Sequence, residues 1–172
     1  MKVLITSDSH GNTDLLLSVI KAERPDFFIH LGDIEDLKTR VEKELGVPRT
    51  PCVFIKGNCD YSSQGDLKNN AVFRLGGHKF YCCHGHLEHV NYGLNSLLLT
   101  AADKECDIAL YGHTHVPHNE FLQVPFDGPM VHIINPGSVS RPRGGSSKSY
   151  AIMTIKNDGA YDVEFKTPQQ EV

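Results

Sequence analysis

Three short apolar runs at the start of the chain each stop at a cluster of small and polar residues, with a helical stretch between successive runs. Val3-Leu4-Ile5-Thr6 runs into Ser7-Asp8-Ser9-His10-Gly11-Asn12, Phe27-Phe28-Ile29-His30-Leu31 closes at Gly32-Asp33, and Cys52-Val53-Phe54-Ile55 stops at Gly57-Asn58. Runs of this length and β-branched content, bounded by turn residues, read as buried strands. Between the first two, Leu15, Leu16, Val19 and Ile20 keep helical spacing from a cap at Asn12 or Thr13 to a stop at Pro25. Between the next two, Leu37, Val41 and Leu45 suit a helix that ends at Gly46. A β-α-β-α-β rhythm predicts a parallel sheet with crossover helices.

The second half follows another pattern. Residues 72–75 and 79–83 flank Gly76-Gly77 as a hairpin, residues 94–102 are helical, and residues 108–111 form a strand. Further strands are expected around residues 120–124, 131–134 and 150–155, with a last pair turning at Asn157-Asp158-Gly159. Leu94, Leu97, Leu98 and Leu99 fit a core face at helical spacing, with a partner surface as the alternative. The expected result is two sheets packed face to face with helices outside. Residues 144–147 look like a mobile surface loop. No linker, repeat or low-complexity tract divides the chain, so residues 1–172 are expected to form a single domain.

Lys plus Arg is 17 and Asp plus Glu is 21, a formal charge of −4. That balance argues against gripping long duplex nucleic acid or an anionic membrane through net charge. No apolar run approaches the ~18 residues of a membrane span, and the opening is too short for a secretory leader, so a cytoplasmic protein is expected. The five cysteines, Cys52, Cys59, Cys82, Cys83 and Cys106, are odd in number and contain no C-x-x-C. Neither a disulfide scaffold nor a thiolate zinc site is signalled.

What carries chemistry is the set of residues at the strand ends. The first run ends in Asp8 and His10, the second in Asp33, and the third in Asn58 and Asp60. The hairpin ends at His84, and the strand over residues 108–111 leads to His113 and His115. Ligands of open α/β sheets bind beyond the carboxyl ends of the strands. The i, i+2 spacing of Asp8 with His10, and of His113 with His115, would let each pair point one way along extended backbone. Oxygen and imidazole ligands without thiolate suit Mn, Fe, Zn, Co or Ni better than Ca or Mg. The number of groups fits two ions ~3.5–4 Å apart that share a carboxylate.

Asp8-Ser9-His10, Gly32-Asp33, Gly57-Asn58-Cys59-Asp60, Cys83-His84-Gly85-His86 and Gly112-His113-Thr114-His115 resemble the ordered signature of the calcineurin-like metallophosphoesterases. With Asn135-Pro136-Gly137-Ser138 added, the set is most similar to the small YfcE-type bacterial phosphodiesterases, from Met1 to about Ile155. The resemblance implies a four-layer α/β/β/α sandwich, an α/β fold of two mixed β-sheets flanked by helices. It implies that Asp8, His10, Asp33 and His115 hold one metal, and that Asp33, Asn58, His84 and His113 hold the other, with Asp33 bridging. The cofactors expected are two divalent transition metal ions, Mn first, with Ni, Zn, Fe or Co as alternatives.

The implied activity is metal-dependent hydrolysis of small phosphodiesters, by in-line attack of a hydroxide that the two cations generate, with Asp33, Asn58 and His84 at the reacting centre. Asp60, His86, Arg141 and Arg143 are candidate substrate contacts; the alternatives for Asp60 are orienting a ligand or serving a turn, His86 shares its position beside a loop with His89, and both arginines could fork onto phosphate. Many relatives of the superfamily carry histidine after the Gly-Asn pair, a group thought to protonate the leaving group. The YfcE-type subgroup lacks it, and here the position is Cys59, whose thiol is a poor acid near neutral pH. Competing readings are a phosphomonoesterase or nuclease of the same superfamily, or a protein-binding scaffold like the retromer subunit that shares the fold. A homo-oligomer is compatible with either.

Overall fold

The computed structural model describes residues 1–36, 38–47, 49–61 and 66–169. In chain order the elements are β1 (Lys2–Thr6), α1 (Thr13–Glu23), β2 (Phe27–His30), α2 (Lys38–Leu45), β3 (Cys52–Phe54), β4 (Asn70–Leu75) and β5 (His78–Cys83). A single 3-10 turn, Val90–Tyr92, precedes α3 (Asn95–Asp103), β6 (Ile108–Leu110), β7 (Pro117–Gln123), β8 (Met130–Pro136), β9 (Tyr150–Ile155) and β10 (Tyr161–Lys166). The Asn12 side chain caps α1 by accepting the Leu15 N–H at 3.3 Å, and a left-handed Arg24 ends the helix before Pro25. Leu37, expected at the start of α2, lies outside the described residues. Strand β7 begins at Pro117, earlier than the sequence suggests. It is an edge strand, where a missing N–H costs no ladder bond.

The strands form two mixed sheets, ordered β10-β9-β1-β2-β3 and β4-β5-β6-β8-β7. In the first sheet β1, β2 and β3 run parallel and β9 runs antiparallel to both its neighbours, β1 and β10; in the second β5, β6 and β8 run parallel between antiparallel edges. Period-two alternation along each strand decides which core a residue joins. Val3 and Ile5 enter the layer between the sheets with Ile29, Phe80, Cys82, Ile108 and Leu110. Leu4 and Phe28 face the other way, against Leu16, Val19 and Ile20 of α1 and Val41 and Leu45 of α2. Tyr81, Ala109 and Ile133 meet Leu97, Leu98 and Ala101 of α3 on the far side of the second sheet. Leu97 and Leu98 are therefore core, while Leu99 stays exposed. The result is the four-layer α/β/β/α arrangement, its middle layer shared by both sheets.

The tight turns follow their glycines. Gly76 and Gly77, at φ 59° and 92°, close the β4–β5 hairpin with the backbone twist that such hairpins need. At the edge opposite the strand carboxyl ends, His78 donates from both ring nitrogens, to Asp107 Oδ2 at 2.5 Å and to the Gly159 carbonyl at 2.7 Å. Burial pulls the His78 pKa down, but those two acceptors outweigh it and hold the pKa above its ordinary value. The His78 imidazole thus ties the second sheet to the β9–β10 turn.

Candidate metal centre

The parallel strands of both sheets end at one edge of the sandwich, and their last residues lead straight into the ligand-bearing loops. The backbone there is not extended. Asp8, His10, Asp33, His113 and His115 all have left-handed φ, between 44° and 68°. The reasoning that strand alternation aims Asp8 with His10, and His113 with His115, is therefore corrected. The left-handed residues curl each strand end while its amides stay paired: Asp8 N–H donates to the Gly32 carbonyl at 3.0 Å, and His10 N–H to the Asp33 carbonyl at 2.9 Å. Left-handed non-glycine residues cost on the order of 1 kcal/mol each and concentrate at functional sites.

Asp8, His10, Asp33 and His115 each present a ligand atom within 4.8 Å of one another. His10 Nε2 stands 3.1 Å from His115 Nε2, which is 3.2 Å from Asp8 Oδ1. The outer nitrogens fix both tautomers. His10 Nδ1–H donates to Glu35 Oε1 at 2.5 Å, and His115 Nδ1–H donates to the Arg141 carbonyl at 2.5 Å. With each Nδ1 committed to its acceptor, Nε2 is the ring atom that both histidines turn toward the Asp8 carboxylate. Asp8 Oδ1 is buried and receives no hydrogen bond among the described residues. A buried carboxylate oxygen left in that state costs several kcal/mol unless a cation meets it. The donor set therefore fits a divalent ion.

His84 repeats the device. Its Nδ1–H donates to the Leu31 carbonyl at 2.8 Å, leaving Nε2 facing Asn58 Oδ1 at 3.1 Å, Asp33 Oδ2 at 3.5 Å and Asp8 Oδ1 at 4.0 Å. Asp33 Oδ1 accepts the Cys59 N–H at 2.8 Å, and Oδ2 lies between His84 and His10, the latter at 3.9 Å. One carboxylate thus stands between the two groups of ligands. Burial pushes the Asp33 carboxyl up, but the His84 contact and charge and the Cys59 amide outweigh it and hold the pKa well below the usual range. Asp8 is also lowered, burial being outweighed by His115 and His84. His113 stands off from these ligands. Its Nε2 is 2.9 Å from Asn91 Nδ2, its ring centroid is 5.1 Å from that of His84, and its N–H donates to Asp8 Oδ2 at 3.1 Å.

The structure gives Asp60 another role than substrate contact. It is buried, and its carboxylate accepts the N–H groups of Asp33 at 2.8 Å, Gly57 at 2.8 Å and Glu35 at 2.9 Å. His86 is half-buried beside His84 and His113, with ring centroids at 5.3 and 6.1 Å, and its buried Nδ1 has no partner among the described residues. Burial, then the charge on His84, lowers its pKa. Arg141 and Arg143 are exposed, on a segment bound to His115 through the Arg141 carbonyl and through the Arg143 N–H at 3.2 Å. The surface loop over residues 144–147 is tied to the same place: Ser146 Oγ donates to the Arg143 carbonyl at 2.7 Å. Burial and the negative charges of Asp33 and Glu35 push the Cys59 thiol up to about 12.

Sequence reasoning passed over Glu35 and Asn91, and gave Ser138 and His30 no individual role. Glu35, two residues beyond Asp33, was findable as a second carboxylate on the same loop. Ser138 Oγ donates to the Asp8 carbonyl at 2.7 Å and accepts the Arg141 N–H at 2.8 Å, which gives the Asn135-Pro136-Gly137-Ser138 motif its function as a brace. His30 sits under the site, accepting the Gly32 N–H at Nδ1 over 3.3 Å and donating from Nε2 to Ser9 Oγ over 3.1 Å. Asn91 lies on the Val90–Tyr92 turn, outside every motif.

A family model for the calcineurin-like phosphoesterase superfamily domain matches residues 1–158. The chain is 36% identical to a probable metallophosphoesterase, YsnB, of Bacillus subtilis, over 93% of this chain and 88% of that one. It is 27% identical to the phosphodiesterase YfcE of Escherichia coli, over 89% and 87% respectively. Among solved structures, a conserved uncharacterized protein of Streptococcus pneumoniae, described as a predicted phosphoesterase, superposes with a TM-score of 0.79 at 30% identity, over 99% of this chain and 91% of that one. Vps29 of Entamoeba histolytica, complexed with zinc, superposes at 0.69 with 19% identity over 96% and 98%, a likeness of fold.

Proposed function

The chain belongs to the calcineurin-like phosphoesterase superfamily, and from that premise we propose that residues 1–172 act as one domain that hydrolyses small phosphodiesters with the aid of two divalent cations. The observation that carries this reading is the convergence of His10, His115 and His84 Nε2 on the Asp8 and Asp33 carboxylates, each ring fixed by an acceptor on Nδ1. Asp8, His10, Asp33 and His115 would hold one ion; Asp33, Asn58, His84 and His113 would hold the other. When bound, such ions lower the pKa of water and neutralise charge on a phosphoryl oxygen. Mn is the first choice, followed by Ni, Zn, Fe and Co.

The protein's own groups supply the rest. His86 offers a neutral imidazole at the rim for a phosphoryl oxygen or a leaving group. Arg141 and Arg143 would pair with the anionic diester from the loop tied to His115. Cys59, held protonated to about 12, is too weak an acid to assist departure. Diesters whose leaving groups depart as stable anions are therefore preferred. Among the described residues no helix is long and apolar enough to cross a membrane. With a formal charge of −4, the substrate proposed is a small diester rather than long duplex nucleic acid, met in the cytoplasm.

The test is hydrolysis of bis-p-nitrophenyl phosphate and p-nitrophenyl phosphate by protein stripped of metal and reloaded with Mn, Ni, Zn or Mg singly, beside Asp33→Asn and His84→Ala. Diester turnover that needs metal and is lost in both variants supports the reading. Monoester turnover alone would make the protein a phosphatase. Metal bound with no turnover of either ester would favour the scaffold alternative.

A further inference from the structure

Each imidazole in the centre is gripped from outside on one nitrogen. For His10, His84 and His115 the gripped atom is Nδ1, and the partner is an acceptor: Glu35 Oε1, the Leu31 carbonyl and the Arg141 carbonyl. His113 alone is gripped on Nε2, and its partner is a side-chain amide, Asn91, whose Nδ2 is the atom placed against it at 2.9 Å. The oxygen and nitrogen of a carboxamide exchange places by a half-turn of the side chain, and the chemistry of the partner decides which faces in.

The turn that carries Asn91 is fixed. Val90 is buried in the core beneath α3, its N–H donates to the Gly85 carbonyl at 3.2 Å, and Gly85, at φ 106°, packs directly against it. Glu88, also buried, accepts the Tyr81 hydroxyl at 2.7 Å. Asn91 is exposed and buries nothing of its own, so its amide is the part of the turn that reaches the centre.

We propose that Asn91 is a positioning residue for His113: its Oδ1 accepts the Nε2–H, which fixes the tautomer and leaves Nδ1 as the nitrogen free for the second cation. This assignment rests on the two-cation reading above. It makes the turn between β5 and α3 the element that sets affinity at the second position, while the first position is braced by Glu35 and the Arg141 carbonyl.

The experiment is Mn titration of metal-free protein by calorimetry, with electron paramagnetic resonance reporting the coupled ion pair, in wild type, Asn91→Leu and Asn91→Asp. Losing an outer hydrogen bond to a ligand costs about 10–100-fold in metal affinity. Asn91→Leu is expected to weaken one of the two ions by that factor and to leave the other unchanged. Asn91→Asp, which can only accept, is expected to bind both within about threefold of wild type or tighter. Wild-type affinities in Asn91→Leu would overturn the positioning role. An Asn91→Asp variant as weak as Asn91→Leu would overturn the acceptor assignment. A wild type that takes up a single ion would instead defeat the two-cation reading, and this assignment with it.

Discussion

The carboxylate of Asp60 accepts the backbone N–H of Asp33 at 2.8 Å, so one acid is held in place by another that never reaches the opening. The same carboxylate takes the amides of Gly57 and Glu35. Asp60→Asn would turn an amide N–H toward one or more of these donors. A buried donor left unsatisfied costs about 1–3 kcal/mol, and the urea midpoint is expected to fall accordingly. Ion affinity should fall with it, because the Asp33 loop loses its support. Unchanged ion affinity alongside reduced stability would separate the two effects and refute the positioning argument.

Gly57 leaves no room for a side chain. A Cβ there would lie 2.0 Å from Asp33 Oδ1 and 2.3 Å from the Asp33 backbone nitrogen, and backbone cannot yield as a side-chain tip does. Gly57→Ala is expected to displace Asp33 and to cut kcat/KM for the diester by about a hundredfold, the scale of a 1 Å misplacement. Steady-state kinetics at saturating Mn would check this. Wild-type kinetics would mean that the loop relaxes freely.

Glu35 holds His10 by a single bond to Nδ1. Glu35→Ala should weaken the ion at the Asp8, His10 and His115 position by about 10–100-fold, and Glu35→Gln, whose oxygen can still accept, should fall in between. Competition against a fluorescent zinc chelator measures both. Equal affinities in the two variants would argue that charge, rather than ring orientation, is what Glu35 supplies.

His30 makes acid stability a readout of the same region. Burial pushes its pKa down from 6.5 to about 4, so the folded protein refuses a proton that the unfolded chain accepts. Stability from this group is complete above pH 6.5 and is lost as pH falls toward 4, by about 3 kcal/mol. Urea unfolding of metal-free protein at pH 7.5 and 4.5 should show a smaller pH effect in His30→Gln than in wild type. Equal pH effects would mean that the carboxylates account for all of it.

Much of this architecture was legible because it rests on periodicity. Val3, Leu4 and Ile5 alternate between two cores, and Leu16, Val19 and Ile20 share one helix face, so strand and helix follow from spacing alone. The gathering of Asp, Asn and His at the strand ends was legible as well, since those types have no packing reason to cluster there. The path of the loops was not. Nothing in Asp8-Ser9-His10 announces left-handed backbone, which steric rules disfavour and only tertiary contacts enforce. Asp60 left substrate contact, ligand orientation and a turn all open, because an acid beside such a motif has the same letters whether it faces in or out. Glu35 and Asn91 act through one hydrogen bond apiece, and a single bond leaves no pattern to read.

If the proposed ions bind, the left-handed residues of the site carry a consequence for the protein as a sensor of its surroundings. Asp8, His10, Asp33, His113 and His115 are held in costly backbone conformations, and ions that bind only the folded chain return that cost in proportion to the logarithm of their free concentration. Melting temperature then becomes a gauge of cation supply. In a cell short of the right ion this protein would be easier to unfold and faster to be degraded, so that its abundance, as well as its turnover, would follow metal availability.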